Sequence, residues 1–131
     1  MPDTEDVVIN FDDDLKLNIY NPCLGVVCRE LYLKGTFENN VKVYLKQIVI
    51  NGMVVLDVGA DLGYYTILFA KWVGSNGKVI AFEPSNYARS KFIGNITLNC
   101  FNNAYKSDFA LSNENGPTCL INPGVDSRIF A

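Results

Sequence analysis

The amino-acid sequence predicts an α/β fold, namely half of a doubly wound parallel sheet preceded by a β-hairpin and helices. Two observations carry that prediction. The apolar run Val54-Val55-Leu56-Asp57-Val58 passes through Gly59 and Gly63 into residues with helical spacing, the pattern of a buried strand that meets a helix through a tight turn. The alternation then continues: Lys78–Phe82 is a second strand-like run, a helical segment follows Ser85, and Ala104–Leu111 supplies a third run. Right-handed crossovers would set these strands in the order third, second, first.

The 131 residues, 49% of them hydrophobic, suffice for one domain that buries roughly two-thirds of its unfolded surface. Eleven basic and fourteen acidic residues give a formal charge of -3, and no basic stripe is present to track phosphates. Nucleic acid is therefore not expected as a partner. Cys23, Cys28, Cys100 and Cys119 show neither zinc spacing nor a dense disulfide framework, and there is no histidine, so no metal site is expected. Free, mostly buried thiols in a reducing compartment fit that pattern. The N-terminus Met1-Pro2-Asp3-Thr4-Glu5-Asp6 is acidic where a signal peptide is basic, and no apolar run approaches the ~20 residues of a membrane span. A cytoplasmic location follows. Asn95-Ile96-Thr97 matches a glycosylation acceptor, which without secretion is a coincidence.

In chain order, Val7–Phe11 and Leu15–Tyr20 flank Asp12-Asp13-Asp14 and read as a hairpin with a solvated acidic turn. Asn21-Pro22 ends the run, and Leu24–Leu33 reads as a helix before Gly35. Val41, Val43, Tyr44, Leu45, Ile48 and Val49 follow helical periodicity, with a stop at Asn51-Gly52. After the glycine turn, Tyr65, Leu68, Phe69, Trp72 and Val73 form the core face of a helix that ends at Gly74-Ser75-Asn76-Gly77. Ser85 is placed to cap a helix carrying Ala88, Phe92 and Ile96, within which Gly94 costs about 1 kcal/mol relative to Ala. Thr118–Ile121 could form a short fourth strand. Residues 1–50 are thus a hairpin and helical lead-in, and residues 51–131 a partial cofactor-binding domain, together one structural unit.

A strand that meets a helix through glycines is expected to expose backbone N–H groups to a ligand. The spacing Gly59-Ala60-Asp61-Leu62-Gly63 lacks the G-x-G-x-x-G of a dinucleotide fingerprint. Asp57 and Asp61 flank it. Each would repel a pyrophosphate charge at 4 Å by about 4 kcal/mol at an effective dielectric of 20. A ligand with an ammonium and a sulfonium would be attracted instead, and S-adenosylmethionine carries both. Glu83, at the end of the second parallel strand, can accept the two hydroxyls of its ribose.

The segments Asp57–Thr66, Gly77–Pro84, Asn95–Asn99, Ala110-Leu111-Ser112 and Gly116 resemble the FkbM family of S-adenosylmethionine-dependent methyltransferases. The resemblance spans roughly Lys34 to Ile121 and implies a Rossmann-like class I methyltransferase fold, truncated at its C-terminus. It implies that Asp57, Gly59, Ala60 and Gly63 hold the methionine end of the cofactor, that Glu83, followed by Pro84, holds the ribose, and that Ala110 lies near the adenine. Asp61 stands where that family more often has Asn, Asn86 where it often has Pro, and Gly94 where a better helix former is usual.

The implied reaction is O-methylation of a sugar, glycolipid or secondary metabolite, so a small-molecule or glycan acceptor is the expected partner. No residue identifies itself as a catalytic base; Asp108, Asp126 and Tyr105 qualify only as titratable groups. Tyr64 could border the cofactor pocket, whereas Tyr65 and Trp72 belong to the core. A half sheet leaves Val54–Val58 as an apolar edge, to be covered by the hairpin, by a second copy in a homodimer, or by the rest of a longer protein. Two other functions remain open at this point: a catalytically silent binding module and a nicotinamide-dependent oxidoreductase.

Overall fold

The computed structural model describes residues 6–20 and 25–117. Strands β1 (Val7–Phe11) and β2 (Leu15–Ile19) form an antiparallel hairpin, followed by helices α1 (Val26–Lys34) and α2 (Asn39–Ile48). Then come β3 (Val54–Val58), α3 (Tyr64–Val73), β4 (Lys78–Phe82), α4 (Asn86–Leu98) and β5 (Ala104–Ser107). The last three strands are parallel, in the order β3-β4-β5, as the crossover argument requires. The third strand ends at Ser107 rather than Leu111, and the expected Thr118–Ile121 strand lies outside the described residues.

Helix α3 organises the core. Its sequence YYTILFAKWV has almost no polar face, and a helix apolar on all sides must be covered on all sides. One side packs on the sheet, where Phe69, Ala70 and Val73 meet Val79 and the partly buried Val55 and Ala104. The other side packs on the hairpin, where Ile67, Leu68 and Tyr64 meet Phe11, Leu15, Leu17 and Ile19. Burial is therefore broader than a single-face reading allows: Tyr64 and Ile67 are buried, while Tyr65 and Trp72 are only partly so. In α2 the expected apolar face is mostly open, since Val41, Val43, Tyr44 and Ile48 are exposed and only Leu45 and Val49 reach the core.

The hairpin turn has its own chemistry. Asp12 and Asp13 sit at positive φ (46° and 68°), which Asp tolerates better than most residues. The turn is not simply solvated, because Asp12 pairs with Lys42 (3.3 Å) and Lys71 (3.6 Å), and Asp14 pairs with Lys71 (2.6 Å). The Lys71 ammonium holds the Asp14 carboxyl below the usual carboxylate range. On its other edge the hairpin meets α4 through side chains. Asn95 and Asn99 each accept from one β2 backbone N–H and donate to the carbonyl of that same residue, Asn18 and Lys16 respectively. Residues four apart on a helix rise about 6 Å and residues two apart on a strand about 6.7 Å, so the two carboxamides match alternate strand residues. Asn95 is fully buried, which rules out its glycosylation in the folded chain.

The hairpin spends its apolar face on α3 and does not pair with β3. Among the described residues nothing covers Val54, Leu56 and Val58, which are 65%, 57% and 60% exposed, so the expected cover of that strand by the hairpin is not found. Cys28 is buried as expected, but Cys100 is exposed, at a positive φ of 55° beyond α4.

Tyr64 bridges the hairpin and the chain ahead of α2. Its hydroxyl donates to the Phe37 carbonyl (3.2 Å) and approaches the Phe37 N–H (3.3 Å), and its ring lies 5.3 Å from that of Phe11. Tyr64→Phe is expected to lower unfolding stability by about 1–3 kcal/mol, because the Phe37 backbone groups lose a partner. Urea titrations of the two proteins would check this.

Candidate functional site

The site is built where two parallel strands end side by side. Asp57 faces Ala81 and Val58 faces Phe82 in the β3–β4 register, which brings the turn after β3 against the loop after β4. Asp57 lies on the sheet face covered by α3, is nearly buried, and accepts a hydrogen bond from Thr66 (2.5 Å). Burial pushes its carboxyl up; the Thr66 hydroxyl opposes this and the Glu83 charge adds to it.

The turn itself is spent internally. The N–H groups of Gly59 and Ala60 both donate to the Phe82 carbonyl (2.9 and 3.1 Å), and Gly63 donates to the Ala60 carbonyl (2.8 Å). Asp61 donates its N–H to Glu83 Oε2 (2.8 Å). The expected cradle of free N–H groups is therefore absent at these four residues, and what the turn offers a ligand is carboxylate and carbonyl oxygen. Asp61 has a φ of 49°, a conformation open to Asn and Asp, which accounts for either residue at this position. Asp61 is exposed as a residue but lines a cleft with Tyr20, Cys28 and Tyr87; desolvation there, with the Glu83 charge, raises its carboxyl above the ordinary value. Gly63 has a φ of 95°, a conformation that favours glycine, and a Cβ there would approach the Phe92 ring to 3.1 Å, so a side chain would also have to push that ring aside.

Glu83 is buried, and its two oxygens accept from the N–H groups of Asp61 (2.8 Å) and Ser85 (2.7 Å). Each oxygen has two acceptor positions, so one on each is left for a ligand hydroxyl. Ser85 caps α4 as expected, accepting from the Ala88 N–H. Beyond β4, Phe82 and Ala110 share a cavity of about 470 Å³ with Phe109, Leu111 and Ser112. Pro84 is partly buried between Glu83 and the α4 cap.

Asp57, Gly59, Ala60, Asp61, Gly63 and Glu83 are thus brought together, with Ala110 in the cavity beside Phe82. The Tyr64 ring is not with them: it turns into the core beneath the hairpin, because the first turn of α3 is covered there. Sequence reasoning missed Thr66 and the part played by Asn95, whose Nδ2 also donates to the Leu62 carbonyl (2.9 Å). The i, i+4 repeat of Asn95 and Asn99 was the available signal. The titratable candidates for a base fare poorly. Asp108 is exposed and held below the usual carboxylate range by Lys106 and Arg89, and Tyr105 lies beneath the Lys78 ammonium on the open sheet face. Asp126 lies outside the described residues.

An open parallel sheet with this turn after its first strand and a buried glutamate after its second defines a Rossmann-like class I methyltransferase module, the S-adenosylmethionine-dependent class. A family model described as Protein-L-isoaspartate(D-aspartate) O-methyltransferase (PCMT) matches residues 29–99, more than half of the chain. The chain belongs to that family. The methyltransferase class implied by the resemblance is supported, through a different family model.

Solved structures agree on the fold. A Clostridium thermocellum protein designated an rRNA-methylase is 25% identical with a TM-score of 0.53, over 57% of this chain and 44% of its own. Trm5b from Pyrococcus abyssi is 20% identical with a TM-score of 0.59, over 82% of this chain and 29% of its own. P. horikoshii TYW2, in complex with MeSAdo, is 18% identical with a TM-score of 0.56, over 86% of this chain and 39% of its own. The chain therefore spans less than half the length of each. No curated protein matches the sequence.

The raised carboxyls set a pH dependence. A carboxyl whose folded value lies above its ordinary 3.8 is bound more tightly to its proton in the folded chain, so stability falls as pH rises through that window. Asp14 and Asp108 are lowered instead, and their stabilisation is lost only as pH falls below 3.8. Asp57→Asn is expected to flatten the decline above 3.8 and to stabilise the ligand-free chain at neutral pH. Denaturant midpoints measured across that range would test it; an unchanged slope would count against a desolvated Asp57.

Proposed function

We propose that this chain is the cofactor-binding part of an S-adenosylmethionine-dependent methyltransferase that acts on an acceptor oxygen. The observation that carries the reading is the set Asp57, Asp61 and Glu83 beside a turn in which the N–H groups of Gly59, Ala60, Asp61 and Gly63 are already committed. Such a site repels phosphate and suits a cation. In this reading Glu83 takes the ribose hydroxyls, and Asp57 and Asp61 face the methionine ammonium. Gly59, Ala60 and Gly63 allow close backbone approach, and Pro84 and Ala110 flank the adenine side with Phe82. S-adenosylmethionine bound there supplies an electrophilic methyl group on a sulfonium. The chain's own residues bind and orient it, and much of the rate gain in such a reaction comes from positioning.

For the acceptor, the FkbM resemblance favours a hydroxyl of a sugar, glycolipid or secondary metabolite, whereas the family name favours a protein carboxylate. The rRNA-methylase neighbour raises RNA as a third class, against which weigh the charge of -3 and the lack of a basic stripe. A cytoplasmic location belongs to the same reading; no helix of the described residues is long and apolar enough to cross a membrane. The uncovered Val54–Val58 strand is where a second copy or further strands would associate. A nicotinamide dinucleotide suits the site less well, because its pyrophosphate would meet the Asp57, Asp61 and Glu83 carboxylates at a turn where the N–H groups of Gly59, Ala60, Asp61 and Gly63 already have acceptors.

Calorimetric titration should show binding of S-adenosylhomocysteine and not of NAD. A folded chain that binds NAD alone, or neither, overturns the reading. Glu83→Gln removes one carboxylate oxygen and is expected to weaken S-adenosylhomocysteine binding by about 1–3 kcal/mol. Transfer of labelled methyl to hydroxyl compounds, an isoaspartyl peptide and RNA would separate the acceptor classes, and transfer to none of them by a binding-competent chain would mark it as a silent module.

A further inference from the structure

Asn95 on α4 touches none of the carboxylates, yet it joins the cofactor turn to the hairpin. Its carboxamide is fully buried and makes three hydrogen bonds. Oδ1 accepts from the Asn18 N–H (2.6 Å), and Nδ2 donates to the Asn18 carbonyl (3.0 Å) and to the Leu62 carbonyl (2.9 Å). The Leu62 carbonyl and the Gly63 N–H belong to one planar peptide unit, so fixing one fixes the direction of the other. That N–H donates to the Ala60 carbonyl and closes the turn. On the opposite side, Asp61 is pinned through its N–H to Glu83. Phe92, one helical turn before Asn95, fills the space that a side chain at Gly63 would need. Asp61, in its left-handed conformation, therefore lies between two anchors.

Asn99 provides an internal comparison. It clamps Lys16 of β2 in the same two-bond manner and donates also to the Asn95 carbonyl, but it makes no bond to the turn. Both asparagines hold the hairpin; only Asn95 holds the hairpin and the turn together.

We propose that Asn95 is a positioning residue for the cofactor turn, and that through it β2 and the turn move as one unit. Ligand at the turn then slows opening at β2, and loss of the hairpin contact weakens ligand binding, because coupling between two sites is reciprocal. The inference rests on the proposed cofactor site for its ligand, but its structural half can be measured without one.

The test compares the parent chain, Asn95→Ala and Asn99→Ala by amide hydrogen exchange and by titration with S-adenosylhomocysteine. In the absence of ligand, Asn95→Ala should speed exchange at Gly63, whereas Asn99→Ala should speed exchange at Lys16 and leave Gly63 within about twofold of the parent. With ligand, the parent should gain protection at Asn18, and Asn95→Ala should lose that gain and bind about tenfold more weakly, the loss of one to two buried hydrogen bonds. If Asn95→Ala does not fold, Asn95→Asp keeps the volume and the acceptor for Asn18 while losing the amide donors, and the same readings apply. Equal effects of the two asparagines on Gly63, or parent-like binding by a folded Asn95 variant, would overturn the proposal. Failure of the parent to bind S-adenosylhomocysteine would instead strike the proposed function, and Gly63 exchange would still decide the role of Asn95.

Discussion

The buried carboxylate of Glu83 is the constraint on which the site depends. A carboxylate removed from water is costly unless hydrogen-bonded, and here each oxygen has a backbone donor, from Asp61 on one side and Ser85 on the other. Those donors lie on different loops, one after β3 and one at the start of α4. The in-register parallel pairing of β3 with β4 sets the loops side by side, and Glu83 then fixes them against each other. The same bonds that make the carboxylate tolerable leave an acceptor position free on each oxygen.

The apolar character of α3 explains the rest of the architecture. Because the helix has almost no polar face, the sheet alone cannot bury it, and the hairpin takes the opposite side. Leu17, Ile19 and Ile67 are completely buried as a result. The hairpin is then committed and cannot also cover the far face of the sheet, where Val54, Leu56 and Val58 stand open. Parallel sheets are ordinarily covered on both faces, so this face marks the module as one layer short among its described residues.

The periodicity changes in the sequence made the parallel strands and their order legible, and the glycine turn with Glu83 named most of the residues that the fold brings together. The sequence did not disclose what lay on the second side of α3, since a helix apolar all round has no face that points to its neighbour. Tyr64 was misplaced for that reason: its position beside Gly63 suggests the pocket, but its ring follows the helix into the hairpin interface. Asp12 reads as solvated in sequence because its partners Lys42 and Lys71 are 30 and 59 residues away, beyond the reach of a local pattern. Asn95 reads only as a coincidental sequon, since nothing local shows that its carboxamide replaces a missing strand partner.

The largest difference between expectation and structure bears on chemistry. Sequence logic treats a glycine turn before a helix as a source of N–H donors and hence as an anion site. Here Gly59, Ala60 and Gly63 donate to carbonyls and Asp61 donates to Glu83. With these donors spent, the field at the turn is set by Asp57, Asp61 and Glu83. At the effective dielectric of a protein surface, one unit charge at 4 Å is worth about 4 kcal/mol before screening, far more than a residual backbone dipole. The sign of the ligand charge is therefore decided by which atoms the fold has already used, and the motif alone does not reveal that.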